Sequence, residues 1–168
     1  QHFENQGKLN EYCDGIWAPG GNKMSPGTAP LQKRIQFLFA SLARNPRNIC
    51  ATNLVLKRSR SMMELSNFQI LAQQCWSFHQ KLFEIVDPDV VLVMGNEGFD
   101  FLLAKLSNKT DVISISSGHG DWMCKSVFGR IEGRERNIVC LPHLSRYAIN
   151  KHPEVVEWIK SLTAGLTH

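Results

Sequence analysis

Between Phe68 and Met94 the sequence specifies a helix, a stop and a buried strand. This succession constrains the fold more than any other feature. Phe68, Leu71, Cys75, Phe78, Leu82 and Ile85 recur at three- and four-residue spacings, an apolar stripe suited to lie on a sheet. Asp87-Pro88 ends the helix, because proline lacks the amide that a further turn needs. Val90-Val91-Leu92-Val93-Met94 follows, apolar on both faces, as a central strand of a parallel sheet is.

The same alternation runs through the rest of the chain. Leu31, Ile35, Leu38, Phe39 and Leu42 predict a helix closed by Asn45-Pro46. Residues 49–56 predict a strand running into the basic loop at Lys57. Phe99, Leu102, Leu103 and Leu106 mark a helix after Gly95; Val112 to Ile115 and Ile138 to Leu141 are further strands. Pro153, with Glu154 beside it and Lys160 in the last turn, sets the final helix. The first thirty residues, rich in Gly, Asn and Pro, read as an irregular arm or loop. The fold class expected is α/β: a three-layer α/β/α sandwich around a short, mostly parallel four-stranded sheet, in a single domain over residues 1–168.

Composition is that of an ordinary globular chain, and 19 Lys+Arg against 15 Asp+Glu is only mildly basic. The longest apolar run, Val90 to Met94, is far too short to cross a bilayer, so no membrane partner is expected. Cys13, Cys50, Cys75, Cys124 and Cys140 form no CxxC pair and no zinc-type spacing; Cys50 and Cys140, in apolar runs, and Cys75, on an apolar stripe, read as buried reduced thiols of a cytoplasmic-type protein. The basic residues gather in loops: Lys57, Arg58 and Arg60; Arg130, Arg134 and Arg136; Arg146 and Lys151. Brought to one edge, they would form a stripe that tracks phosphates.

Three expected strand ends carry chemistry: Asn53, Gly95, and Pro142-His143-Leu144-Ser145-Arg146. In an open α/β sheet such ends share the edge where ligands bind. A histidine, a hydroxyl and an arginine together suit an anionic, hydrogen-bonding ligand, such as a phosphate beside a base. Read as residues alone, each has a plain alternative. Asn53 would cap its turn, His143 would be a satisfied structural histidine, and Arg146 would pair with a nearby carboxylate. Ser117-Gly118-His119-Gly120-Asp121-Trp122 is a loop whose His119 and Trp122 suit a nucleic-acid contact or a simple turn.

Taken in order, these segments resemble the uracil-DNA glycosylase superfamily. Thr52-Asn53-Leu54-Val55 resembles its asparagine motif. Asp87-Pro88 through Gly95 resembles its proline turn and strand ending in glycine, and Pro142-His143-Leu144-Ser145-Arg146 resembles its DNA-clamping loop. The resemblance implies a uracil-DNA-glycosylase-like fold and hydrolysis of the N-glycosidic bond of uracil or a related damaged base in DNA. It makes Asn53 the reader of the flipped base and His143 the donor to the leaving base, with Gly95 lining the pocket. Ser145, Arg146, Lys57, Arg58 and Arg60 would hold phosphates. Leu144 stands where the family usually has proline, which implies a less rigid loop.

Two departures accompany the resemblance. The family's first motif has only a faint counterpart in Ile16-Trp17-Ala18-Pro19-Gly20-Gly21, with Trp17 where an acid is expected. The reading places that motif ahead of Gln1. Upstream carboxylates are Glu4, Glu11 and Asp14, none with a motif behind it. Cys75 aligns with one ligand of the family's iron–sulfur branch, but Lys57 replaces another, so no cluster, metal or other cofactor is expected. The partner expected is uracil-containing or damaged DNA, bound by a monomer wherever DNA is found. The rival readings are a non-catalytic uracil- or damaged-DNA-binding module, and a thiol hydrolase using Cys124 or Cys140 with His119 or His143.

Overall fold

The structure is a computed structural model that describes residues 9–57 and 67–164. It is α/β, with an open four-stranded mixed sheet, and it divides into two compact units.

One unit holds the sheet. Its elements are α2 (Phe68–Val86), β1 (Val90–Met94), α3 (Asn96–Lys105), β2 (Ile113–Ser116), β3 (Met123–Ile131) and β4 (Arg134–Leu141). The strand order is β1-β4-β3-β2. Only β1 and β4 run parallel; β3 is antiparallel to both of its neighbours. The sheet therefore has the expected number of strands but is mixed rather than mostly parallel. The source of the difference is β3, which sequence reading passed over. It turns into β4 through Glu132 and Gly133, both at positive φ (49° and 78°), the backbone of a tight hairpin turn.

Two further expectations are corrected. Residues 49–56 are not a strand: the chain after the single 3-10 turn at Pro46–Asn48 is irregular. Its polar backbone bonds to helix side chains rather than to a ladder. His79 Nε2 donates to Leu54 O at 2.9 Å, and the Leu56 amide donates to Cys75 Sγ at 3.5 Å. β1 is also not central. It lies at the sheet edge with every residue half-buried, and β4, buried from Arg136 to Leu141, takes the interior place.

The core of this unit gathers α2, α3 and one face of the sheet: Ala72, Trp76, Phe83, Phe99, Phe101, Leu102, Val127, Ile131, Ile138 and Cys140. Trp76 meets Phe101 edge-on at 5.6 Å. The buried face of α2 is Ala72, Trp76, His79 and Phe83, one position round from the expected stripe. Trp76 needs the interior, and His79 reaches it because Leu54 O satisfies its ring. Phe78 and Ile85 are left exposed.

Gly95 closes β1 at φ 101°, and its amide donates to Leu141 O at 2.8 Å. A side chain would be strained there, so glycine is what lets the strand turn directly into α3.

The other unit is built on α1 (Pro30–Ser41) and α4 (Pro153–Thr163), both touching the 3-10 turn Ile149–Lys151. Both helices start with proline in the first turn, where the missing amide costs no intrahelical bond. Residues 9–28, expected as an arm, are fastened to α1 by two glutamines. The fully buried Gln32 accepts from Ala29 N at 3.0 Å and donates to Glu11 O at 2.6 Å and Gly15 O at 2.9 Å. Gln36 donates to Tyr12 O and Gly27 O at 2.6 and 2.8 Å. No helix among the described residues is long and apolar enough to cross a membrane.

Candidate functional site

The loop after β4 alternates anchors with presented groups. Leu144 and Tyr147 are fully buried, while His143, Ser145 and Arg146 are exposed. The turn is closed by the amides of Arg146 and Tyr147, both donating to His143 O at 2.9 and 3.1 Å. Arg34, on α1, donates through Nη1 to Leu144 O at 2.6 Å and Ser145 O at 2.9 Å. Those bonds and the burial of Leu144 fasten the loop.

His143 has a defined hydrogen-bonding state. The Ser145 amide donates to His143 Nδ1 at 3.2 Å, and Ser145 Oγ lies 2.8 Å from the same nitrogen. A backbone N–H can only donate, so Nδ1 is the acceptor and the ring proton sits on Nε2. Partial desolvation of the ring, and then the positive charge of Arg146, hold the His143 pKa below its ordinary value. Geometry and electrostatics agree on a neutral imidazole whose Nε2–H has no partner among the described residues. Arg146 makes no ion pair among the described residues either, so the carboxylate alternative does not hold there.

Asn53, Lys57 and Gly95 belong to the sheet-bearing unit. Asn53 is exposed on the irregular segment, not at a strand end, and its carboxamide bonds to nothing among the described residues. It therefore does not cap its turn. Lys57 is exposed just beyond it, and Gly95 sits at the β1–α3 turn. Arg58 and Arg60 lie outside the described residues, as does Glu4.

The expected stripe of Arg130, Arg134 and Arg136 is corrected: none is a free loop cation. All three lie on β3 and β4. Arg130 pairs with Glu135 at 3.5 Å across the hairpin, and Arg134 pairs with Asp87 and Asp89. Arg136 is 2 % exposed, donates to Asp87 at 3.0 Å and to Pro88 O, and stands over the Phe83 ring. Burial, and then the neighbouring Arg134 charge, lowers its pKa.

The described upstream carboxylates are engaged. Asp14 receives both guanidinium nitrogens of Arg47 at 2.6 Å, which with the Asn10 amide holds its pKa below the usual carboxylate range. Glu11 accepts from Trp17 Nε1 at 3.2 Å. The thiols are equally unsuited to nucleophilic work. Cys124 is fully buried, and burial pushes the Cys140 thiol up to about 11.

Sequence reading missed Arg34 and Tyr147. Arg34 reads as a solvated helix position, and nothing in its neighbourhood announces a tie to a loop so distant in sequence. Tyr147 stands next to the singled-out motif and is what joins it to the loop 117–122, its hydroxyl donating to Ser117 O at 2.6 Å. Compared with family models, curated proteins and solved structures, the chain matches none.

Proposed function

We propose that the chain is a base-excising hydrolase acting on uracil or a related damaged base in DNA. The observation that supports this best is the state of His143: a neutral ring on an exposed, fastened loop, offering Nε2–H beside Arg146, which makes no ion pair among the described residues. In the proposed reaction the base leaves its stack and is read on its Watson–Crick edge. A carboxamide such as that of Asn53 carries the donor and the acceptor that match uracil O4 and N3–H. The bond between the sugar C1′ and the base nitrogen breaks, its electron pair leaving with the base. Water oxygen adds to C1′ and gives up a proton, which the departing base anion takes up through solvent. The charge developing on the departing base is met by His143 Nε2–H at O2, a donor that is already oriented. Arg146 and the Ser145 hydroxyl hold flanking phosphate, fixing register without reading sequence.

A second reading is favoured by one observation. Asp14 and Glu11 are both engaged, so the described arm offers no free carboxylate to orient the attacking water. On that reading the same surfaces bind uracil-containing DNA without cleaving it. Base release from single- and double-stranded uracil oligonucleotides separates the two. Release abolished by both His143→Ala and Asn53→Ala, with fold and DNA binding retained, supports the hydrolase. Selective binding without release supports the reader. Neither release nor binding removes both.

A further inference from the structure

The loop Ser117–Trp122 is held more firmly than its exposure suggests. The Ser117 amide donates to Trp122 O at 2.9 Å, the Trp122 amide to His119 O at 3.3 Å, and the His119 amide to Ser117 Oγ at 3.2 Å. Gly118, at φ 72°, lies so close to His152 that a Cβ would come within 2.7 Å of its Nδ1. A larger residue would be strained and would lift the loop off that ring.

On this frame stands a series of rings. His152 stacks on Tyr147 at 4.8 Å and 19°, His119 meets Tyr147 edge-on at 6.4 Å, and Trp122 lies against His119 at 4.7 Å. The series runs from the fully buried Tyr147 to Trp122, which is 39 % exposed. Trp122 and His119 are both exposed, so their ring N–H groups face solvent or a ligand. Here neither Trp122 Nε1 nor the His119 ring has a hydrogen bond among the described residues. Two exposed aromatic rings packed on each other over an anchored loop lose little entropy on meeting a flat ligand.

The ligand's chemistry follows from what the loop is bonded to. Tyr147 belongs to the same turn as His143, Ser145 and Arg146, and its hydroxyl holds Ser117 O. The rings therefore share one bonded frame with an exposed guanidinium and an imidazole N–H, which is a phosphate-binding and π-stacking combination. We propose that His119 and Trp122 form a stacking platform for bases of an unpaired strand. The substrate of the His143 loop is then single-stranded or locally unpaired nucleic acid rather than intact duplex. This inference rests on the nucleic-acid reading of that loop, but not on catalysis by it.

The test is anisotropy titration of the full chain with a labelled single-stranded oligothymidylate and with its oligoadenylate duplex, at about 50 mM salt, where backbone contacts are strong. Trp122→Ala is expected to weaken single-strand binding roughly five- to hundredfold, as loss of one base stack does. Trp122→Phe keeps most of it, His119→Ala loses less than Trp122→Ala, and duplex binding changes little. Arg146→Gln, by contrast, lowers the salt slope by about 1 on both ligands. Trp122→Ala and His119→Ala variants that bind single strands like the parent overturn the platform, and so does an equal loss on duplex and single strand. Should Trp122→Ala fail to fold by circular dichroism, His119→Ala and Trp122→Phe carry the same comparison. A parent chain that binds neither oligonucleotide overturns it too, and points the ring pair at a protein surface. On a uracil-containing single strand, Trp122-dependent binding without base release sinks the hydrolase and leaves the platform standing; release with Trp122-independent binding does the reverse.

Discussion

Arg34 lies 110 residues before Leu144, yet its guanidinium is 2.6 Å from the Leu144 carbonyl oxygen. A charged donor from the middle of a helix thus fixes the backbone of the turn that presents His143. Arg34→Ala removes two charge-assisted bonds and leaves the turn held by its own backbone bonds and the burial of Leu144 and Tyr147. A loss of about 1.5–3 kcal/mol is expected by urea unfolding. Base release should fall more steeply than stability, through kcat, since the imidazole loses its fixed aim. Arg34→Lys, a point charge without the fork, should recover only part of both.

The His143 ring is expected to titrate below about 6.5, the ordinary histidine value. Its folded pKa is lowered, so its contribution to stability is present above the unfolded value and lost as pH falls through the folded one. Proton NMR of the ring Cε1–H across pH 4.5–8 (about) reads this directly. Arg146→Gln should raise the midpoint while leaving it below the unfolded value, because desolvation is the larger cause. A midpoint at or above the ordinary value would remove the neutral donor from the mechanism.

Gln32→Leu keeps the volume of a fully buried side chain but strands Ala29 N, Glu11 O and Gly15 O. The expected cost is about 2–3 kcal/mol, the penalty of buried polar groups left without partners. Limited proteolysis should then cut first within residues 9–28, before either helix that the variant leaves untouched.

Cys140 and Cys124 should resist a thiol reagent in the folded chain and react only on unfolding, while the exposed Cys50 reacts at once. Counting thiols modified before and after denaturant checks this. Base release that persists in both Cys124→Ser and Cys140→Ser would also dispose of the thiol-hydrolase reading.

Where the sequence carried strong periodicity, it was legible. α1, α2, β1 and α4 begin and end close to where proline, asparagine and apolar spacing place them. It misled where local pattern and tertiary partner diverge. The apolar run 49–56 looks like a strand, but its carbonyls and amides are claimed by His79 and Cys75 of α2. β3 was hidden because Lys125, Gly129 and Arg130 break its apolar pattern and Glu132-Gly133 is not the usual hairpin pair. The basic cluster on β4 looked like a loop because buried arginine is rare, and only the Asp87 carboxylate and Pro88 carbonyl make Arg136 tolerable there. In the candidate site, the motif of His143, Ser145 and Arg146 was visible. What holds it, Arg34 and the Tyr147 hydroxyl, was not, since neither bond leaves a trace in local spacing.

The sheet order also sets a sequence of events in time. β3 and β4 are neighbours in the chain, joined by Glu132 and Gly133, so they can zip together early, on the microsecond scale of an isolated hairpin. β1 precedes them but reaches β4 only after α3, β2 and β3 have been spanned, and it pairs in parallel. Its docking waits on that long closure, which makes it the slow step. Until β1 arrives, the outer edge of β4 stands open along Asn137 to Leu141, apolar at every position but Asn137. The refolding yield of this chain should therefore fall with protein concentration, while its equilibrium stability does not.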